Sequence, residues 1–341
     1  ERAREELLSF KGSGMSVMEI SHRSELFEAV LASAESRIRE LLDLPSDYKV
    51  LFLQGGAAFQ FSMVPLNFLS GDGADYVVTG VWGEKAVREA QRCGPVNIVF
   101  DGKDGGYQDI PRQNDLRFSG NASYIHYTSN ETIDGVEFDF DIDGSDVPVI
   151  CDASSNILSK PLDLLRYSMI YAGAQKNLGP SGVTLVIISD QMLERIPKGQ
   201  HSLLDYQNIA ANNSMANTPN TWGIYLIDLV CEWLKNIGGV EAIAKINTQK
   251  ADRIYKAIDN SDGFYVGHAH PRARSRMNIT FRLPSPELDE KFCEAAEKNG
   301  MSGLRGHRSV GGIRASIYNA FPVEGVETLV EFMSEFSNQN R

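Results

Sequence analysis

Val147-Pro-Val-Ile-Cys-Asp152 and Ser168-Met-Ile-Tyr-Ala-Gly-Ala-Gln-Lys-Asn-Leu-Gly-Pro180 carry the reading of the fold. Each is a short apolar run that ends on polar or charged residues, the pattern of a parallel strand covered on both faces whose carboxyl end reaches a loop. Working outward, similar runs occur at Tyr48–Leu53, Ala74–Thr79, Val96–Phe100, Ser123–Tyr127 and Val183–Ser189. Helical periodicity separates some of them. Ser24 to Leu42 places Leu26, Phe27, Val30, Leu31, Ala34, Ile38, Leu41 and Leu42 on one stripe, and Pro45 stops it. Strands alternating with helices predict an α/β sandwich with a mostly parallel sheet of seven strands. A further helix, about Trp222 to Ile237, ends at Gly238-Gly239. The expected boundary lies there: a large unit over 1–238, then a smaller α+β unit over 239–341. The smaller unit is read as a helix over 240–258, a strand over 277–281, a helix over 286–299, a strand over 312–316 and a final helix.

Bulk properties exclude several classes. With 341 residues, 42% of them hydrophobic, the chain can bury a large core. Its 33 Lys+Arg against 45 Asp+Glu leave a formal charge of -12, which repels phosphate backbones and anionic lipid, so no nucleic acid and no membrane are expected as partners. No apolar run approaches the roughly 20 residues of a membrane span, and Glu1 to Phe10 is charged and helical in pattern, unlike a signal peptide. Cys93, Cys151, Cys231 and Cys293 form neither a CxxC pair nor a dense disulfide framework, which suits a reducing cytoplasm.

In open α/β sheets ligands bind beyond the carboxyl ends of the strands. Gly55-Gly56, Trp82, Asn130 with Thr132, Asp152, and Gln175 with Lys176 each follow one of the predicted strands, so five strand ends point to one crevice. Asp152 emerges at the rim of a buried sheet, where an unpaired charge is costly. For an isolated strand-end Asp, a helix cap or a structural salt bridge is the commoner role. Lys176, 24 residues later, sits among small residues at the end of an apolar strand. Partial desolvation lowers a lysine's pKa and makes it the amine nucleophile that Schiff-base chemistry requires. Such an Asp and Lys match the division of labour around pyridoxal phosphate: a carboxylate keeps the ring nitrogen protonated while a lysine holds the cofactor covalently. Glycines at 55 and 56 suit backbone N–H contacts to a phosphate. Trp82 suits stacking on the ring, although a tryptophan there is core at least as often.

Ile20-Ser-His-Arg-Ser24, Asn130-Glu-Thr-Ile-Asp-Gly135, Tyr171-Ala-Gly-Ala-Gln-Lys-Asn177, Asn217-Thr-Pro219, Gly306-His-Arg308 and Gly311-Gly-Ile-Arg-Ala-Ser-Ile-Tyr-Asn319 resemble the signature segments of the phosphoserine aminotransferase family, across essentially the whole chain. The resemblance implies a fold-type-I pyridoxal 5'-phosphate transferase, a homodimer with shared active sites. It exchanges an amino group between L-glutamate and 3-phosphohydroxypyruvate in serine biosynthesis; the sequence leaves open whether a related substrate of pyridoxine biosynthesis is also used. It implies Lys176 as the covalent lysine, Asp152 as the ring-nitrogen partner, Trp82 stacked on the ring and Thr132 on its phenolic oxygen. Gly56 and Ala57 N–H groups and Gln175 would hold the cofactor phosphate, with Asn217 and Thr218 from the partner subunit. Some relatives carry arginine where this chain has Ala57, a contact made through the backbone. Arg314 would take the substrate α-carboxylate, and His22, Arg23, His307 and Arg308 the distal anion, the last two from the neighbour. Relatives usually begin with a segment containing an Asn-Phe-Ser-Ala-Gly-Pro-like stretch ahead of the position of Glu1.

Blander readings stand beside these. A lone Arg23 is ordinarily a surface charge, and His126, His268 and His270 read as structural or solvated. No His, Cys or carboxylate grouping has metal-ligand spacing. The competing functions are another fold-type-I aminotransferase, such as an alanine–glyoxylate-like enzyme, a cysteine desulfurase, or a non-catalytic scaffold. A desulfurase needs an exposed, mobile cysteine, whereas Cys231 and Cys293 fall in helical patterns and Cys93 precedes a strand.

Overall fold

In the computed structural model, which describes residues 1–308 and 310–341, the Ser24 hydroxyl accepts the Phe27 N–H at 3.4 Å and so starts helix α1, Glu25–Leu42. The chain continues through β1 (Tyr48–Gln54), α2 (Gln60–Phe68), β2 (Ala74–Val78), α3 (Val81–Ala90), β3 (Val96–Asp101), β4 (Ile125–Thr128), β5 (Val149–Asp152), β6 (Met169–Gly173) and β7 (Val183–Ser189). Helices α4 (Thr221–Asn236) and α5 (Gly239–Asp259) lead to β8 (Val266–Gly267), β9 (Asn278–Arg282), α6 (Pro286–Lys298), β10 (Ile313–Ser316) and α7 (Val323–Asn340). All seven strands expected of the first half are present, with ends displaced by a residue or two.

Those seven form one sheet in the order β1-β7-β6-β5-β4-β2-β3. Only β7 runs against its neighbours, pairing antiparallel with β1 and β6, while the other pairs are parallel. Alternation along each strand feeds two cores. Val50, Phe52, Ile170, Ala172, Leu185 and Ile187 pack on the side of α1 and α4; Leu51, Leu53, Met169, Tyr171, Val186 and Ile188 pack on the side of α2 and α3. The continuous apolar runs follow from this cover on both faces.

In β5, Val149 and Cys151 join the first core and Ile150 the second, so alternation turns Asp152 toward α2 and α3. A third core, built from residues between Ala251 and Phe336, fills the space between the antiparallel β8-β9-β10 sheet and α5, α6 and α7.

Two sets of polar ties fix the loop past β10. The buried Lys250 ammonium on α5 donates to the carbonyls of Ile317 (3.0 Å), Tyr318 (2.8 Å) and Phe321 (3.1 Å), just past β10. Asn319 in the same loop donates its N–H to Asn177 Oδ1 at 3.0 Å and its side-chain amide to the Leu158 carbonyl at 2.8 Å. Asn177 adjoins Lys176, so the strand bearing Arg314 is registered against the lysine loop by hydrogen bonds that water does not reach.

Candidate active site

Because β1 and β6 both run antiparallel to β7, they are parallel to each other, and the carboxyl ends of β1, β2, β4, β5 and β6 fall on one edge of the sheet. Thr128 pairs with Asp152 and Asp152 with Tyr171, which sets the residues that follow side by side. A cavity of about 170 Å³ opens there, lined by Gly56, Ala57, Ala58, Phe61, Trp82, Thr128, Asn130, Thr132, Asp152, Ser154, Ser155, Gln175 and Lys176. Eight of the residues singled out in the sequence thus meet: Gly56, Ala57, Trp82, Asn130, Thr132, Asp152, Gln175 and Lys176.

Gly55 permits the turn out of β1: its φ of 89° is a left-handed conformation open to glycine. Gly56 then caps the short helical turn Ala57–Phe59 that runs into α2, presenting backbone N–H groups at a helix start. Lys176 is half-buried, and its Nζ donates to Thr132 Oγ1 at 2.5 Å. Burial pushes the ammonium down to about 8, reinforced by the Arg314 charge and opposed by Asp152 and Glu131. Burial also raises the Asp152 carboxyl, while the Ser154 N–H, donated to Oδ1 at 2.9 Å, and the Lys176 charge pull it back. Lys176 Nζ lies 5.8 Å from the centre of the Trp82 ring, and Lys85 Nζ 4.2 Å from it.

The other predicted residues are placed differently. Arg314 lies on β10, half-buried, near enough to Lys176 for its charge to be felt. His307 is lowered by burial and by the charges of Arg314, Arg308 and Lys85. His22 and the exposed Arg23 precede α1. Asn217 and Thr218 are exposed and contact Gln54, with Asn217 Nδ2 donating to Gln54 Oε1 at 3.2 Å, and Asn217 lines a separate cavity with Phe59, Met63 and Leu203. His126 is fully buried, its Nε2 2.8 Å from the Tyr171 hydroxyl and its ring stacked between Tyr76 and Tyr171, and burial lowers it to about 3. Among the described residues no grouping of His, Cys, Asp and Glu is placed to hold a metal ion.

Two carboxylates escaped the sequence reading. Glu131 is wholly buried and raised to about 8, and Asp134 is raised to about 6, both chiefly by burial. They lie in a tight hairpin, Asn130–Glu131 against Val136–Glu137, that sits against the start of α3. Ordinarily a Ser-Asn-Glu-Thr run reads as a solvated turn; the signal available was its position directly after a buried strand.

The cavity fits pyridoxal phosphate on its own terms. Trp82 Nε1, Thr128 Oγ1 and Asn130 Oδ1, all on residues that line it, are buried with no hydrogen-bond partner, unmet polar atoms that a polar ligand would answer. A side chain on Gly56 would meet nothing within 4 Å, so space remains beside its N–H.

The class-V aminotransferase family model matches residues 1–329. A phosphoserine aminotransferase of Pseudomonas aeruginosa is 52% identical over 341 residues, covering 100% of this chain and 94% of its own. Among solved structures, the phosphoserine aminotransferase from Bacillus circulans subsp. alkalophilus superposes with a TM-score of 0.98 at 47% identity, covering 100% of this chain and 94% of that one. The pyridoxal-phosphate-bound phosphoserine aminotransferase from Trichomonas vaginalis does so with a TM-score of 0.92 at 38% identity, covering 98% and 95%.

Proposed function

Since the chain belongs to the phosphoserine aminotransferases of the class-V aminotransferase family, we propose that it transfers an amino group from L-glutamate to 3-phosphohydroxypyruvate. The products are O-phospho-L-serine and 2-oxoglutarate, and the cofactor is pyridoxal 5'-phosphate. The observation that carries this reading is the convergence of Lys176, Asp152 and Trp82 on one cavity in a chain so similar to those enzymes.

When bound, pyridoxal phosphate supplies an electron sink for charge developing at the substrate Cα. Lys176 binds it covalently through Nζ, and at about 8 that amine can take and return a proton near neutral pH. Thr132 aims Nζ, and in the loaded site bonds the ring's phenolic oxygen. Asp152 holds a proton on the ring nitrogen from a position where water does not screen its charge. Trp82 packs on the ring face. The N–H groups of Gly56 and Ala57 and the side chain of Gln175 bind the cofactor phosphate, helped by Asn217 and Thr218 of the partner subunit. Arg314 takes the α-carboxylate, and its unpartnered Nε is a donor ready for it. His22 and Arg23 receive the distal anion, together with His307 and Arg308 of the partner subunit.

The test is formation of phosphoserine from glutamate and 3-phosphohydroxypyruvate by purified protein. Arg308→Ala is expected to raise KM for 3-phosphohydroxypyruvate by at least about tenfold, the usual cost of losing a hydrogen bond between charged groups. Glutamate, a monoanion at that end, should weaken less. An unchanged KM for the phosphorylated substrate would point to a different acceptor.

The shared dimer site is supported by the placement of Asn217 outside the Lys176 cavity, beside Phe59 and Leu203, apolar side chains that are more than half exposed. Mixing Lys176→Ala with Arg308→Ala subunits should restore roughly a quarter of wild-type activity, because half of randomly paired dimers carry one intact site. No recovery in demonstrated mixed dimers would rule out sharing. The division into 1–238 and 239–341 is supported by Gly238, whose φ of 105° turns α4 into α5, and by the separate third core. A cytoplasmic location is supported by four cysteines that are all free.

A further inference from the structure

We propose that Glu131 is a positioning residue for amino transfer, acting through Trp82: its carboxylate fixes the first turn of α3 and with it the plane in which the indole lies beside Lys176. The proposal rests on the reading of Trp82 as the residue that packs on the cofactor ring.

Glu131 Oε2 accepts the Trp82 N–H at 2.9 Å and Oε1 accepts the Gly83 N–H at 2.7 Å, while Asp134 Oδ2 accepts the Val81 N–H at 3.3 Å. The first three N–H groups of α3 are therefore all taken by side chains of the hairpin, 48 or more residues away in sequence. An ordinary helix caps itself with a Ser, Thr, Asp or Asn just before its first turn, and an exposed cap avoids the cost of burying charge. Here that position is Gly80, where a Cβ would stand 2.4 Å from Glu131 Cγ and 2.7 Å from Asp134 Oδ2. The glycine admits the two carboxylates, and the helix has no cap of its own.

What this arrangement achieves beyond capping is a fixed spacing. Glu131 holds the backbone of Trp82, and the next residue, Thr132, accepts the hydrogen bond from Lys176 Nζ at 2.5 Å. Adjacent residues of one hairpin thus hold the backbone that bears the aromatic ring and, before the cofactor binds, the amine. The indole does not orient itself by hydrogen bonding, since Nε1 is buried without a partner. Its plane follows from the first turn of α3, and that turn is set by Glu131.

The experiment compares wild type, Glu131→Gln, Trp82→Ala and the double variant as holoenzymes, reading kcat, KM and the visible circular dichroism of bound cofactor. Glutamine keeps the shape but turns an amide NH2 toward one of the two backbone donors. Glu131→Gln is expected to lower kcat roughly tenfold with KM changed less than about twofold, and to reduce the visible ellipticity by at least about half, as a misplaced ring would. In the Trp82→Ala background the same change should have almost no further effect on kcat or ellipticity. If Trp82→Ala itself leaves both readings at wild-type values, the reading of Trp82 fails and the proposal with it. If Trp82→Ala is impaired but Glu131→Gln costs the same factor in both backgrounds, the proposal alone is overturned, and Glu131 is a helix cap. Should Glu131→Gln not fold, Glu131→Asp, which keeps the charge and withdraws it by one methylene, gives the same cycle and the same two outcomes.

Discussion

Lys176→Ala is expected to leave less than about one thousandth of the wild-type amino-transfer rate. Two proposed functions would vanish together: the amine that binds the cofactor covalently, and the base that moves a proton at Cα, a role worth roughly 10²- to 10⁴-fold by itself. Folding should survive, because Nζ makes one hydrogen bond to Thr132 and the side chain is half-buried. The competing lysine is Lys85, whose Nζ lies 4.2 Å from the Trp82 ring centre. It sits on α3 with its ammonium over the indole, whereas Lys176 Nζ donates to Thr132 in the cavity that Asp152 lines. Borohydride treatment of the wild-type holoenzyme followed by peptide mapping should therefore place the cofactor's mass on the peptide that holds Lys176. Label on Lys85, or more than about a tenth of the rate in Lys176→Ala, would remove the central assignment.

How much of this was open to sequence reading depended on how each residue is buried. The seven strands were legible because cover on both faces makes them continuously apolar, as in Val183–Ser189, where every residue is buried. The same uniformity hid the direction of that strand, since an apolar run reads alike forward and backward and nothing local marks β7 as antiparallel. Lys176 and Asp152 were legible because a charge directly after an apolar run is a conflict that needs a reason. Glu131 was not. It lies in a polar stretch that looks solvated, and its burial arises from contact with a helix start far away in sequence. Lys250 was missed for another reason: on α5 it falls on the buried stripe with Ile243, Asn247 and Ile254, and only the carbonyls beyond β10 explain a lysine there.

Asp152→Asn is expected to lower kcat by roughly 10²- to 10⁴-fold while raising the stability of the cofactor-free protein, and the opposed signs distinguish a functional carboxylate from a structural one. In the cofactor-free protein the carboxylate is buried, and burial lifts its pKa above the unfolded value despite the Ser154 N–H and the Lys176 charge. A group shifted in that direction stabilises the fold at low pH and loses that contribution as pH rises through its folded pKa. At neutral pH the ionised side chain is therefore a liability. Asparagine, nearly identical in shape, retains an acceptor for the Ser154 N–H and removes the liability, so thermal unfolding of the cofactor-free variant at pH 7 should move upward. The loaded enzyme is expected to behave oppositely, because in the proposed role the carboxylate would then face a protonated ring nitrogen. Removing one member of a buried ion pair costs about 3–5 kcal/mol, and at about 1.36 kcal/mol per decade this gives the stated loss in rate. Cofactor affinity should fall less than kcat, since Lys176 and the phosphate contacts remain. A cap or structural salt bridge predicts the reverse pattern, a less stable cofactor-free protein with nearly normal turnover. Measuring unfolding without cofactor and turnover with it on the same two proteins decides between them, and a variant that is both less stable and fully active would return Asp152 to a structural role.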